Sequence, residues 1–315
     1  MNLTAARDLK RNVIRIARLT AQRRVAVGIS VKSKPAAYGV AILVRSHHER
    51  RLLDTREMRA LLRSAGADIN IEIVGDVVQS SGAGRPLGGE STLTIGASVG
   101  HFTGGDGSLG FFAVDRSTGR RGLVSCNHAI ALADRGAEGD GVISPSISNG
   151  GRVQRNVVAT LDGRYPRLRG EGPRPADCAF AFINDRVAYD AARVDGGLLV
   201  SVPASPAEEL DVTKIGYVTN ARTGVIAKIE VDDIPVRYGE VKAFFNGVIQ
   251  IGSTSAEQFA ARGDSGALIY TTRTFQPVGL LFAASDAGGP YNAGWAWAHP
   301  IAQVTQALGV EITVS

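Results

Sequence analysis

The stretch A-R-G-D-S-G-A-L-I-Y, residues 261–270, is the part of this chain whose residue types make sense only together. Ser265 is a candidate nucleophile. A serine hydroxyl is weak by itself; it needs a base to take its proton and backbone donors to hold the oxyanion that forms when it attacks a carbonyl. Gly263, two residues earlier, gives the backbone the freedom to turn an N–H toward the point that the Ser265 N–H faces, and Asp264 lies between them. The run from Gly266 to Tyr270 reads as a buried strand that holds the loop rigid. Alone, G-D-S-G also suits an ordinary turn between two strands, so its partners decide between the readings.

Outward from this stretch the chain reads as mainly β. It has 315 residues, 38 glycines against 10 phenylalanines and 44% hydrophobic residues, a composition for many short strands joined by tight turns. Its length suits two packed units better than one. Strands are expected near 92–95, 109–115, 122–125, 153–161 and 178–183. The same rhythm resumes near 212–218, 225–231, 244–251, 266–270 and 277–284, and a helix over 300–308 is stopped by Gly309. Upstream, strands near 27–31, 40–44 and 69–74 with a helix over 55–65 form a small α+β module. Q-S-S-G-A-G-R-P-L-G-G-E at 79–90 reads as a linker. The expected organisation is a basic amphipathic helix within 1–24, the module and linker at 25–90, and a main domain at 91–315. That domain divides into β units at 91–197 and 198–300 and a terminal helix at 300–310.

Net charge is +5, but residues 1–64 hold 15 Lys and Arg against 4 Asp and Glu, so the remainder is acidic. Over residues 3–19, Leu3, Leu9, Val13, Ile16 and Leu19 alternate with basic residues. Such a helix docks on a partner, an anionic membrane or nucleic acid, or packs on its own protein. Nucleic-acid binding is disfavoured as the main activity, because no aromatic residue is interleaved with the basic ones in 1–24. The start has no continuous apolar segment and no run of 18 apolar residues follows, which predicts a cytoplasmic protein. Cys126 and Cys178 are too few for a disulfide framework and read as small buried residues, although each lies beside a candidate site residue.

A base for Ser265 should be one of five histidines: His47, His48, His101, His128 or His299. The pair His47 and His48 reads as a solvated feature of a charged turn. His128 follows the apolar strand in L-V-S-C-N-H-A-I, where the chain turns into a short helix. Of the carboxylates that could orient it, Asp177 enters an apolar strand in P-A-D-C-A-F-A-F-I, whereas Asp162 lies in a turn. Each residue alone has a structural explanation; the conjunction, in the order base, carboxylate, nucleophile, places the site in the cleft between the two β units. An α/β-hydrolase elbow would need G-x-S-x-G with the histidine last, and position 267 is Ala.

The motifs S-C-N-H-A (125–129), A-D-C-A-F (176–180) and R-G-D-S-G-A (262–267) resemble the three catalytic motifs of chymotrypsin/trypsin-like serine peptidases, in the same order. The fuller resemblance is to the bacterial trypsin-like peptidases related to the plant narrow-leaf protein. It includes K-I-G-Y-V-T-N-A-R-T-G-V-I (214–226) and V-G-L-L-F-A-A-S (278–285), and extends over about residues 25–310. The resemblance implies a two-barrel trypsin-like fold with an N-terminal α+β module and a C-terminal helix. It implies a serine endopeptidase acting on protein or peptide substrates with no metal or organic cofactor: His128 as general base and acid, Asp177 as its orienter, Ser265 as nucleophile, and Gly263, Asp264 and Ser265 as oxyanion hole. Phe259 would lie at the base of the specificity pocket and Phe282 and Ala283 in its wall, implying an apolar or small residue before the cut bond. In trypsin-like zymogens the residue matching Asp264 receives a newly cut N-terminus, and no evident activation site precedes the first barrel. Asp264 therefore has a built-in partner, or the enzyme is held inactive, with the helix at 3–19 the place for an activating contact. The alternative is a latent or inactive peptidase-like module that binds a peptide or protein.

Overall fold

The computed structural model describes residues 1–20, 25–33, 37–79 and 92–315; the expected linker at 79–90 lies outside them except for Gln79. Apolar runs with residues buried on both faces organise the C-terminal half. Pro277–Ala284 and Val248–Ser253 are buried along their whole lengths, as strands with neighbours on every side must be. They join Asp211–Gly216, Asn220–Asp232, Leu268–Thr271 and Trp295–Pro300 in a ring of antiparallel pairings that closes on itself, a six-stranded barrel. Val212, Ile226, Ile249, Ile251, Ile269 and Leu281 share one of its apolar clusters.

The first half forms an eight-stranded sheet curled into a half-barrel. The chain passes from its end strand Gly104–Ser108 to Phe111–Asp115 through Leu109 and Gly110, whose N–H groups bond the Ala97 carbonyl at 2.8 Å and the Val124 carbonyl at 2.9 Å. The last strand, Val310–Ile312, returns to this sheet beside Phe111–Asp115, so both chain halves contribute to it. This is the expected mainly β, two-barrel chymotrypsin-type architecture, with the helix Ile301–Leu308 stopped by Gly309 at φ 68°.

Several expected elements differ in detail. The run at 153–161 is a helical turn, Val153–Asn156, before a strand, Val157–Leu161. The run at 244–251 is cut by Asn246 and Gly247, the latter at φ 69°. Val241–Phe245 thereby becomes the hairpin partner of Ile234–Tyr238, while Val248–Ser253 enters the closed barrel. Asn-Gly is a turn signal that the apolar residues around it mask. His47 and His48 open a helix, His47–Leu52, capped by the Ser46 hydroxyl, instead of lying in a turn. The strands Ser98–His101 and Gly104–Ser108 were not expected, because their glycines carry no strand signal.

The N-terminal module shares a sheet with the closed barrel. Ala26–Ser33 pairs with the far end of the 13-residue strand Asn220–Asp232, and Ala37–Val44 and Ile69–Ile73 follow outward. Leu3–Thr20 covers this extension, burying Val13 and Ala17 against Val27, Val40, Ile42 and Met58.

Candidate active site

Ser265 sits on a loop of the closed barrel that is locked onto the half-barrel. The Ser108 N–H bonds the Ser265 carbonyl at 2.7 Å, and the Ser108 hydroxyl donates to the Gly263 carbonyl at 3.0 Å and accepts from the Tyr217 N–H at 2.9 Å. Gly266 is at φ 90°, and a Cβ there would lie 2.3 Å from both the Ser108 carbonyl oxygen and the Ser125 hydroxyl. No larger residue fits this contact. A Cβ on Gly107 would meet the Ala129 Cβ at 2.6 Å and the Ser265 carbonyl oxygen at 2.7 Å. The Ser265 loop therefore packs beside the helical turn Asn127–Ile130 that carries His128.

That turn is fully buried. His128 Nδ1 and Asp177 Oδ2 are 2.5 Å apart, and Asp177 Oδ1 accepts the His128 backbone N–H at 3.1 Å. Burial alone would raise the Asp177 carboxyl. The charge and hydrogen bonds of His128, joined by the nearby Tyr238 hydroxyl, outweigh it and hold the carboxyl below its ordinary value. Among the described residues His128 Nε2, the atom that would take a proton from a nucleophile, has no hydrogen-bond partner. Ser265 Oγ is directed to the Phe282 carbonyl oxygen at 3.5 Å. Gly263 has φ 105°. The Asp264 N–H is bonded to the Ala261 carbonyl at 3.1 Å, whereas among the described residues the N–H groups of Gly263 and Ser265 go to no protein acceptor.

Asp264 has a built-in partner. Lys214 Nζ lies 3.0 Å from Asp264 Oδ2, and both side chains are wholly buried. The carboxylate also accepts from the N–H groups of Val218 (3.0 Å), Thr219 (3.2 Å) and Ala261 (3.0 Å) and from the Thr219 hydroxyl (2.6 Å). Burial lowers the Lys214 pKa against the opposing pull of Asp264.

Two further groups flank Asp177. His299 Nε2 accepts the Asp177 N–H at 3.0 Å, so that nitrogen carries a lone pair; burial pushes the His299 pKa down to about 3. Its ring stacks on Phe282 with centroids 4.0 Å apart. Tyr238 lies 5.3 Å from the His128 ring, centroid to centroid, its hydroxyl turned to Asp177 without the geometry of a full hydrogen bond. Burial, then the Asp177 charge, pushes its pKa well up. Sequence reasoning missed Tyr238, Ser108 and the role of Lys214, because each comes from an element remote in the chain. His299 was among the five histidines considered and carried no further signal.

Two of the other candidates are paired elsewhere. His101 pairs with Asp140 at 2.9 Å and Asp162 with Arg164 at 2.8 Å. Phe259 is buried in the closed barrel against Gly224. Phe282 turns its side chain into the core between His299 and Phe245 and brings only its carbonyl to Ser265. Ala283, the next residue, is buried in the same strand. Cys126 and Cys178 are free and buried, which raises their pKa values, and the Cys126 thiol donates to the Leu281 carbonyl at 3.2 Å. The donor atoms of Cys126, His128 and Asp177 lie within 4.8 Å of one another, a spacing that could hold a metal ion. Here the imidazole and carboxylate are engaged with each other and the thiol stays protonated.

No protein-family model and no curated protein matches the chain. Among solved structures the fold is similar to Thermobifida fusca protease A (19% identity, TM-score 0.48, covering 71% of this chain and 100% of that one). It is also similar to the chymotrypsin of Cellulomonas bogoriensis (18%, 0.48, 71% and 100%) and to Nocardiopsis protease (20%, 0.47, 70% and 98%). These neighbours are trypsin/chymotrypsin-like serine proteases, and the likeness is one of fold.

Proposed function

We propose that this chain is a serine endopeptidase related to the narrow-leaf group of bacterial trypsin-like peptidases. One observation carries the reading: a buried His128–Asp177 pair, with the imidazole Nε2 unengaged, on the very turn against which the Ser265 loop packs. His128 takes the Ser265 proton as Ser265 attacks a peptide carbonyl, and returns it to the leaving amine. Asp177 orients the imidazole and stabilises its charged form. The N–H groups of Gly263 and Ser265 receive the oxyanion, water then releases the acyl group, and no cofactor takes part. No acidic residue stands at Phe259 or in 281–284, which favours a small or apolar residue before the cut bond. Its site of action is the cytoplasm, and substrates are proteins or peptides.

A fluorophosphonate probe read by intact mass tests this. The native chain acquires one adduct, Ser265→Ala none, and His128→Ala labels about 10²–10⁴-fold more slowly. A folded native chain that never labels overturns the reading. That result would favour a latent peptide-binding module.

A further inference from the structure

Strand Pro277–Ala284, whose Phe282 carbonyl touches Ser265, has its outer edge at Ala283 and Ala284 covered by the chain itself. Val78–Gln79 lies antiparallel to it, Ala283 opposite Gln79 and Ala284 opposite Val78, and is flanked on its far side by Arg237 of the hairpin strand Ile234–Tyr238. The direction matters. In an antiparallel ladder a chain that passes Ala284 and then Ala283 is heading for Phe282, whose carbonyl oxygen is 3.5 Å from Ser265 Oγ. An extended peptide on this edge would bring its next residue to the nucleophile. Such strand addition uses main-chain hydrogen bonds, so any extended segment can take part, the chain's own included. Among the described residues the covering ladder is two residues long.

We infer that Val78–Gln79 is a built-in occupant of the edge on which an extended peptide substrate docks, so that substrate enters by displacing it. This rests on the peptidase reading, and it makes the peptide-binding edge self-blocked in the form described here. A small fluorophosphonate, which needs only Ser265 and His128 to form its phosphonate ester with loss of fluoride, reaches the site with the segment in place; a peptide does not.

The double variant Val78→Cys, Arg237→Cys tests the inference, because it pins the segment from its far side, and these two residues face each other across neighbouring strands, close enough for a disulfide. Oxidised and reduced samples of one preparation, with the native chain under both conditions, are assayed with a fluorophosphonate probe and with unfolded casein, its fragments read by mass spectrometry. The expected result is equal probe labelling but casein cleavage at least about tenfold slower when crosslinked, restored by reduction. Equal cleavage in both states overturns the inference and makes Val78–Gln79 a permanent wall of the site. Native protein that does not label at all overturns the peptidase reading and the inference with it. Gln79→Pro, which removes one N–H from the segment, is a second arm that needs no crosslink. Faster casein cleavage supports displacement, and an unchanged or slower rate with normal labelling opposes it.

Discussion

At the scale of single residues, the buried pair Lys214–Asp264 helps to hold the Ser265 loop. In zymogens of the resembling family a new N-terminal ammonium fills the place beside this aspartate; here an ammonium from the strand Asp211–Gly216 lies 3.0 Å from it. Removing one member of a buried pair leaves the other charge uncompensated and costs about 3–5 kcal/mol. Lys214→Met is therefore expected to lower stability by that amount in urea denaturation and to slow probe labelling of Ser265. The double variant Lys214→Met, Asp264→Asn recovers part of the stability, because the orphaned charge is gone. Unchanged labelling in the single variant would show that Lys214 supports folding alone.

His299 predicts a pH dependence at the same scale. Its pKa is about 3 in the folded chain against about 6.5 in the unfolded one. Between those values the unfolded state binds a proton that the native state refuses, so stability falls as pH falls through this window, by about 1.4 kcal/mol per pH unit at most. Asp177, held below its ordinary value, contributes in the usual carboxylate direction: its contribution is present above about pH 4 and lost below it. Urea midpoints between pH 6.5 and 4.5 should therefore drop more steeply for the native chain than for His299→Gln. Parallel slopes would mean that His299 is not held neutral.

At the scale of elements, the basic helix Leu3–Thr20 is a packed part of the protein. Arg7 pairs with Glu230, Lys10 with Asp232 at 2.7 Å and Arg18 with Asp233 at 2.5 Å, while Arg11 stays on the helix with Asp8. The acidic partners lie at and just beyond the far end of the strand Asn220–Asp232, where Ala26–Ser33 joins it. This corner thus pairs with three of the helix's five basic residues. Lys10 is the buried member of the set, 6% exposed, and also donates to the Glu230 carbonyl. Lys10→Ala should cost about 1–3 kcal/mol, whereas Arg11→Ala, on the solvent face, should change the midpoint by no more than about 0.5 kcal/mol. Equal effects would imply that the charge pairing is incidental. Any activating partner is left with the outward face, where Arg11 and Leu19 are exposed.

At the scale of the whole molecule, the candidate site lies where a closed barrel and a half-barrel interlock. The sequence by itself determined the class of fold, through short apolar runs separated by glycine-rich turns, and it singled out His128, Asp177 and Ser265. Those residues were legible because each stands in a local context that ordinary packing does not require: a histidine just after a buried strand, an aspartate just before one, and a serine between glycines. Strand limits were legible where apolar runs are unbroken, as at 277–284, and lost where Asn246 and Gly247 interrupt one or where glycines stand in for side chains, as in Gly104–Ser108. Only the tertiary structure decided that Lys214 partners Asp264, that His299 and Tyr238 flank Asp177, that the basic helix faces its own acidic corner, and that Val78–Gln79 covers the edge beside Phe282. The physical reason is common to all four. Each contact joins segments far apart in the chain, through a few polar side chains or a short ladder, and such pairings leave no periodicity, spacing or composition in the sequence.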